Sequence, residues 1–270
     1  MSEFLGIARE RVFSPGKIDA DRGILEAVAE VLRRSGHRVR VVSAEDVLPQ
    51  PAAGTVVFTM SQGERALAAV RDWERAGIRV INSADSILNC HRHRMLACFR
   101  RASVATPETL LWEDRAAWPE WLAGDGGWLK RGDVHATEAG DVVFVADAAA
   151  ATEALQRLRA RGIERVVLQR HVPGVVLKFY AIANGFLAWY PPPETALEIG
   201  SAQVAELRAV AAAGAHAVGL EVYGGDCVVD ANGRLRLIDL NDWPSYAPCR
   251  AAAAEAIATH LEAQSESRVQ

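Results

Sequence analysis

Residues 224–244 have the sequence GGDCVVDANGRLRLIDLNDWP, and this stretch decides the fold. Val228 and Val229 favour a β-strand, and the following Asp-Ala-Asn-Gly, which ends at Gly233, is a turn sequence. The apolar alternation of residues 235–240 then predicts a second strand. Together these features predict a β-hairpin.

The hairpin would collect three side chains with oxygen atoms. Asp226 lies in its first strand, and Asp239 and Asn241 lie in or just after the second. Residues two apart on an extended chain point to the same side, and strand pairing would bring Asp226 close to them. Such a group suits a hard divalent cation, usually Mg²⁺ when phosphates complete its shell. A local explanation stays open, because Asp and Asn also cluster at turns and strand ends to bond the backbone.

The composition is that of a globular protein. The chain has 270 residues, 50% hydrophobic and 24% charged, enough for one α/β unit or for two or three lobes. A net charge of −4 argues against a nucleic-acid partner. Four cysteines without metal-site spacing are typical of a reducing compartment: Cys90, Cys98, Cys227 and Cys249.

The sequence shows no sign of a membrane partner. The N-terminus lacks the apolar core of a signal peptide, and no apolar run approaches the roughly 18 residues of a membrane span. We therefore expect a cytoplasmic protein, either a monomer or a homodimer.

Residues 1–82 alternate between predicted strands and helices, which indicates a small parallel α/β lobe. The strands are expected at 4–8, 39–42, 55–59 and 78–81, and the helices at 63–76 and from Asp19 or Asp21 to Gly36. Ligands of such lobes lie beyond the carboxyl ends of the strands. The loops 9–18 and 60–63 are therefore candidate substrate contacts. Lys17 and Arg22 are the candidate cations there, although surface charge explains both equally well.

Residues 82–101 are predicted to form one helix that carries His91-Arg92-His93-Arg94. Histidines two positions apart diverge on a helix, so Arg92 and Arg94 are better candidates, as phosphate contacts. Residues 103–172 have the pattern of a compact α+β lobe. Lys130 lies at the end of a buried strand there, where a lysine is costly unless it is paired or binds an anion.

The third region contains strands at 175–183 and 186–190, a helix at 202–218, the hairpin and a last helix. Lys178 interrupts an apolar strand, either as a solubilising charge on an edge or as a second anion contact. We place the domain boundaries at 1–82, 83–172 and 173–270.

In their order along the chain, these features resemble the ATP-grasp superfamily from residue 82 to the end. The markers are Asn82 followed by Arg92, Leu129-Lys130, the hinge strand at 167–174, Lys178, and finally Asp226, Asp239 and Asn241. No single marker is specific, but the ordered set is. The resemblance implies the ATP-grasp fold, in which an N-terminal parallel α/β lobe precedes two α+β lobes that clasp ATP.

The resemblance also implies roles for residues. The metal would be Mg²⁺, with two ions and with Mn²⁺ able to substitute, held by Asp226, Asp239 and Asn241. ATP would be bound by Arg92, Arg94, Lys130, Gln169, His171, Val172 and Lys178, with Gln169, His171 and Val172 holding the adenine. Lys178, Arg92 and His135 would be the catalytic side chains. The middle lobe would act as a lid that excludes water.

Two features depart from the family pattern. The loop after Lys130 has only two glycines, Gly132 and Gly140, so backbone contacts to the phosphates are in doubt. The metal carboxylates are two aspartates instead of Asp and Glu.

Two reactions remain open, and we favour the first. A carboxylate–amine ligase would phosphorylate a carboxylate, and an amine would then attack the acyl phosphate. Residues 21–37 resemble the equivalent part of glutathione-synthetase-like members. Against this reaction, Lys178 stands where those members have an arginine. A small-molecule kinase is the alternative, because residues 91–96, 176–180 and 241–246 resemble inositol polyphosphate kinases, although the chain is acidic. An ATP-binding module without activity is a third class, which the intact set of site residues opposes.

The acceptor would be a small molecule or a peptide. Its contacts are expected in the loops 9–18, 60–63, 191–200 and 244–250. Tyr246 and Arg250 are the candidate side chains, although Arg250 could instead cap the neighbouring helix.

Overall fold

The computed structural model describes residues 1–112, 117–134, 138–195 and 197–266. Three four-stranded sheets, each covered by helices, make up this part of the chain. The first sheet is parallel and the other two are antiparallel. The predicted fold class, a parallel α/β lobe followed by two α+β lobes, is therefore confirmed.

The first sheet has the order β2-β1-β3-β4. Its strands are β1 (Glu3–Ala8), β2 (Arg38–Ser43), β3 (Val56–Thr59) and β4 (Arg79–Ile81), and its helices are α1 (Ile18–Arg34) and α2 (Glu64–Arg75). Helix α1 buries an apolar stripe and, as predicted, gives way to Gly36, whose φ of 85° suits glycine. The predicted caps are wrong: the helix already begins at Ile18, and Asp21 is buried within it.

The single helix predicted for residues 82–101 is also wrong. The chain forms α3 (Ala84–Asn89) and α4 (Arg92–Arg101), with a break at Cys90 and His91. His91 has extended backbone angles, φ −63° and ψ 127°, so the helix cannot pass through it. The break makes Arg92 the first residue of α4.

The middle sheet has the order β5-β8-β6-β7. Its elements are β5 (Thr109–Trp112), α5 (Leu122–Asp125), β6 (Gly127–Arg131), β7 (Val142–Val145), α6 (Ala148–Ala160) and β8 (Val166–Arg170). Asp147 caps α6, because its side chain accepts from the backbone N–H of Ala150. Leu155 and Leu158 of α6 pack on the sheet to form the core of this lobe.

The third sheet has the order β10-β9-β11-β12. Its elements are β9 (Gly174–Ile182), β10 (Leu187–Tyr190), α7 (Ser201–Val218), β11 (Val222–Asp230) and β12 (Leu235–Asp242). The predicted hairpin is confirmed as β11 and β12, and Gly233 in its turn has a φ of 76°. Helices α4 and α7 cover one face of the sheet.

The last helix, α8 (Arg250–Glu266), returns to the first lobe and packs against α1. Ile257 and Leu261 share a buried cluster with Leu25 and Val28. The domain boundaries at residues 82 and 172 stay predictions. Within the described ranges, the helices include none that is both long and apolar enough to cross a membrane.

Asn82 ties the first sheet to the third. Its side chain is fully buried, and its Nδ2 donates to the carbonyl oxygen of Val222 at 2.7 Å. Its Oδ1 accepts from the backbone N–H groups of Glu221 and Val222, at 2.9 and 3.0 Å. One amide thus fixes where β4 ends relative to the start of β11.

We predict that Asn82→Ala lowers the free energy of unfolding by about 2–4 kcal/mol, because buried backbone groups lose their partners. Asn184→Ala is the matched control, since Asn184 also bonds the backbone but is exposed. It should cost less than about 1 kcal/mol, because water can replace its bonds. Urea denaturation measures both, and equal losses would contradict the role given to Asn82.

Candidate active site

A row of three charged side chains crosses the third sheet. Lys178 on β9 is the register partner of Asp226 on β11, and Asp226 is the partner of Asp239 on β12. Directly opposed residues of antiparallel strands share a face, so the three side chains project together. The distance from Lys178 Nζ to Asp226 Oδ1 is 3.0 Å. The predicted closeness of Asp226 to Asp239 is confirmed.

A β-bulge lies next to this row. The register of the hairpin shifts between Asp226 and Cys227, whose partners are Asp239 and Leu237, so Ile238 is the extra residue. A bulge resets the alternation of a strand and changes the direction of neighbouring side chains. Accordingly Asp239 and Leu240 are both buried, although they are adjacent.

Asn241 extends the group of oxygen atoms. Its register partner is Gly224, where an added Cβ would lie 2.7 Å from the carbonyl oxygen of Phe179 and 2.8 Å from Pro244 Cγ. Two carboxylates and an amide on one sheet face fit a hard cation. The described part of the chain has no cluster of three or more His, Cys, Asp or Glu for a metal. Oxygen atoms of a bound substrate would therefore have to complete its coordination.

Arg92 brings a cation to these carboxylates. Its Nη2 donates to Asp239 Oδ2 at 2.5 Å, and its Nη1 donates to the carbonyl oxygen of Arg131 at 3.1 Å. Its Nε is buried and has no hydrogen-bond partner among the residues described. Arg92 therefore joins α4, β6 and β12, and it keeps one donor for a further acceptor.

Lys130 is a buried cation at the end of β6, with an exposed fraction of 5%. Burial lowers its pKa to about 8; nearby Asp239 and Asp226 act to raise that pKa, and Arg92 acts to lower it. Its Nζ donates to Gln169 Oε1 at 2.7 Å, and a neutral amide compensates the charge poorly. The site thus favours an anionic ligand at Lys130.

The side-chain amide of Gln169 forms hydrogen bonds with other protein groups. Besides accepting from Lys130, its side chain donates through Nε2 to Thr109 Oγ1 at 3.2 Å and to the carbonyl oxygen of Ile238 at 3.3 Å. These bonds hold the amide against Lys130, while Gln169 also lines a cavity between the middle and third sheets, and its contact with adenine stays a prediction.

A cavity of about 320 Å³ opens between the middle and third sheets; we call it the aromatic cavity. The site residues on its wall are Arg92, Trp128, Lys130, Gln169, His171, Val172, Asp226 and Asp239. Trp128 Nε1 donates to His171 Nδ1 at 3.2 Å, and Phe144 packs edge-on against the Trp128 ring. This flat wall suits a planar ring. Sequence reasoning missed Trp128, although it lies two residues before Lys130 on one strand.

A second cavity of about 460 Å³ lies between the first and third sheets; we call it the polar cavity. Its polar lining residues are Arg9, Ser14, Lys17, Asp21, Gln62, Arg92, Glu138, Lys178, Asp226, Asn241, Asp242 and Ser245. Three of the expected acceptor loops, 9–18, 60–63 and 244–250, contribute to it, whereas the described residues of loop 191–200 do not. Arg92 and Asp226 line both cavities, which therefore meet at the carboxylate row.

Arg9 shapes the polar cavity, although it was not among the cations predicted from the sequence. Its guanidinium donates to the carbonyl oxygens of Met60 at 3.0 Å and Trp243 at 2.9 Å, and to Asp21 Oδ2 at 3.1 Å. These bonds join the loops of the first sheet to the end of β12. The available signal was its position directly after β1, at the ligand-binding edge of a parallel sheet.

The remaining predicted cations lie farther out. Lys17 is exposed on the rim of the polar cavity. Arg22 on α1 and Arg94 on α4 are also exposed, and neither lines either of the two cavities. His135 falls outside the described residues.

Tyr246 and Arg250 do not reach the polar cavity. Tyr246 is fully buried, with its hydroxyl 2.9 Å from the carbonyl oxygen of Ala181 and 3.0 Å from that of Tyr223. It is a core residue that fastens β9 to β11, which corrects its expected position as an acceptor contact. The Arg250 guanidinium covers Gly23 of α1, where an added Cβ would lie 2.9 Å from Arg250 Cζ.

Solved structures of ATP-grasp ligases have the same architecture. A D-alanine–D-alanine ligase from Bacillus anthracis, complexed with ATP, has a TM-score of 0.72 and 12% identity, covering 100% of this chain and 98% of the other. A RimK domain ATP-grasp protein from Sphaerobacter thermophilus DSM 20745 has a TM-score of 0.70 and 19% identity, covering 97% and 100%. The ATP-grasp ligase PsnB, complexed with minimal precursor, Mg and ADP, has a TM-score of 0.67 and 21% identity, covering 97% and 98%.

Sequence comparison gives no further relatives. No protein-family model matches the chain, and no curated protein matches it. The likenesses in structure, at these low identities, show the fold.

We predict that Lys130→Met stabilises the protein at pH 7. The pKa of Lys130, about 8 against an ordinary 10.5, means that folding disfavours the charged form. The resulting loss in the free energy of unfolding is about 1.4 kcal/mol for each unit by which the pKa is lowered. This loss is complete below pH 8 and disappears as the pH rises through 10.5. After loss of the bond to Gln169, worth about 1 kcal/mol, a net gain of about 2 kcal/mol remains.

The gain should shrink when unfolding by urea is measured at a pH near 10 instead of 7. Comparing the two proteins at each pH removes the contributions of all other groups. A variant that is less stable than the parent at pH 7 would contradict the high cost assigned to this lysine.

Proposed function

We propose that this chain, which has the ATP-grasp fold, is a Mg-ATP-dependent, ADP-forming ligase that joins a carboxylate to an amine. The observation that carries the proposal is the meeting of the aromatic and polar cavities at Arg92 and Asp226. A nucleotide in the first and an acceptor in the second would approach each other at that junction. Its charged groups, including Lys130 and Lys178, suit the transfer of a phosphoryl group.

The structural neighbours support a ligase over a kinase. The neighbours described above include a D-alanine–D-alanine ligase with ATP and a ligase with Mg, ADP and a minimal precursor. We propose that the acceptor is a small molecule or a peptide. The use of two metal ions, substitution by Mn²⁺, the cytoplasmic location and the oligomeric state stay predictions.

The nucleotide would be held by groups from three elements. Trp128, His171 and Val172 would enclose its base, while Lys130 and Arg92 would bind its phosphates. Mg²⁺, when bound, would neutralise phosphate oxygens and stabilise charge on the transferring group. Asp226, Asp239 and Asn241 are the residues suited to hold it.

In the proposed reaction, an acceptor carboxylate oxygen attacks the terminal phosphorus of ATP and ADP leaves. An amine then attacks the acyl carbon, the amine loses a proton, and inorganic phosphate leaves. Lys178 and Arg92 would stabilise the negative charge of both steps. Glu138, on the loop of the middle lobe, lines the polar cavity and would help to exclude water. A catalytic role for His135 remains a prediction from sequence.

The two carboxylates of the described site are already neutralised by protein cations. Each carboxylate suited to the metal is paired with a cation suited to phosphate: Asp239 with Arg92, and Asp226 with Lys178. Binding of Mg-ATP would exchange these partners, so that the carboxylates take the metal and the cations take the phosphates. Each of these four groups would keep a partner of opposite charge in both states, which limits the cost of holding the buried ions Arg92 and Asp239.

Hydroxylamine trapping tests the ligase reaction. With ATP, Mg²⁺ and a panel of amino acids and short peptides, we expect ADP and a hydroxamate, because hydroxylamine captures an acyl phosphate. Asp239→Asn should lower turnover by at least about 100-fold, since it removes a charge that the transition state requires. The exposed Asp72→Asn on α2 is the matched control and should keep parental activity. Phosphorylation of an alcohol such as an inositol phosphate, without hydroxamate, would support the kinase instead.

Metal binding without nucleotide tests the exchange of partners. Lys178→Met should increase the affinity for Mn²⁺ alone, by about 3- to 5-fold for an exposed pair, because no ammonium competes for Asp226. The same variant should bind ATP more weakly. Electron paramagnetic resonance of free Mn²⁺ measures the affinity for Mn²⁺. Lys17→Met, on the rim of the polar cavity, is the control variant. Unchanged or weaker Mn²⁺ binding by Lys178→Met would contradict the exchange.

A further inference from the structure

A third cavity, of about 510 Å³, lies between α7, the hairpin of β9 and β10, and the start of β11. It shares no lining residue with the aromatic or polar cavity. Its volume falls in the roughly 300–1,000 Å³ range of small-molecule sites. Most of its wall is apolar, including Ile182, Phe186, Leu187, Ala211, Ala215 and Leu220. The active site therefore does not account for this cavity.

Tyr223 supplies a hydrogen-bond donor on that wall. The residue is 5% exposed, and within the described ranges its hydroxyl has no hydrogen-bond partner. Burial raises the pKa of Tyr223 to about 12, so the hydroxyl keeps its proton at neutral pH. A hydroxyl that lines a cavity and bonds no protein acceptor can donate to an acceptor atom of a ligand there.

The uncompensated charge at this cavity is positive. Arg208 of α7 lines it and lowers the pKa of Tyr223 through its charge, so the two groups share one environment. Arg208 donates to the carbonyl oxygen of Gly185, and it forms no ion pair with any described residue. Glu221 also lines the cavity, but Arg79 binds both of its carboxylate oxygens, at 2.5 and 2.6 Å. His260 Nε2 lies 2.9 Å from one of the same oxygens.

We propose that this cavity is a second ligand site, which takes a small monocarboxylate with an apolar chain. The chain would lie against Phe186, Leu187 and the alanines of α7. The carboxylate would accept a hydrogen bond from Tyr223 and pair with Arg208. An apolar body with one anionic end matches the wall of the cavity and its charge.

Octanoate is the probe, titrated by isothermal calorimetry into the full chain without ATP or metal. We expect saturable binding of one equivalent, and at least 10-fold weaker binding of octylammonium, which has the same chain and the opposite charge. Tyr223→Phe should weaken octanoate binding by about 5- to 10-fold, the value of one hydrogen bond. Ala212→Leu, at an exposed position on the cavity wall, should abolish it by filling the space.

Ala213→Leu is the matched control, because Ala213 is exposed on the same helix and does not line the cavity. It should bind octanoate as the parent does. Absence of saturable binding at millimolar octanoate would overturn the proposal, as would equal binding of octylammonium or equal binding by Ala212→Leu. A change in sedimentation coefficient for Ala212→Leu would show that a second copy of the chain covers the cavity, and would overturn it too.

Discussion

The ion pair between Arg92 and Asp239 is the interaction on which the rest of the site depends. It joins the first turn of α4 to β12, while a second bond from Arg92 reaches the backbone of β6. The middle lobe and the third lobe thereby meet at one guanidinium. Lys178 and Asp226 form the neighbouring pair on the same sheet face. Neither a buried ion pair such as Arg92–Asp239 nor a largely exposed one such as Lys178–Asp226 contributes much net stability, so their arrangement is better explained by a highly charged ligand.

Several groups around this ion pair lower the stability of the folded chain. Lys130 is buried with a neutral amide as its hydrogen-bond partner, and the Nε of Arg92 is buried without a partner among the described residues. Gln169 accepts a hydrogen bond from Lys130 Nζ and so reduces the cost of burying it. Asn82 and Tyr246 hydrogen-bond the backbone of the surrounding strands. Local violations of packing rules surrounded by well-satisfied groups are typical of functional sites.

The hairpin and the carboxylate row could be predicted from sequence because their determinants are local. Two valines, a turn and an alternating strand fix the register that places Asp226 opposite Asp239. The break at His91 could not be predicted, since no glycine or proline marks it and only backbone angles reveal it.

Contacts between residues far apart in the sequence also could not be predicted. The burial of Tyr246 depends on β9 and β11, and the bonds of Arg9 depend on the end of β12, so neither follows from local spacing. The same holds for Gln169, whose side chain faces a lysine 39 positions away. Sequence therefore predicted which loops form the site better than which of their side chains face it.

Diffraction from crystals grown with Mn²⁺ and a non-hydrolysable ATP analogue tests the central claim most directly, because the anomalous signal locates the metal. We expect Mn²⁺ between Asp226 and Asp239, with Arg92 and Lys178 released from these carboxylates and bonded to phosphate oxygens. Phosphates bound elsewhere, or both ion pairs intact beside the bound analogue, would contradict the account.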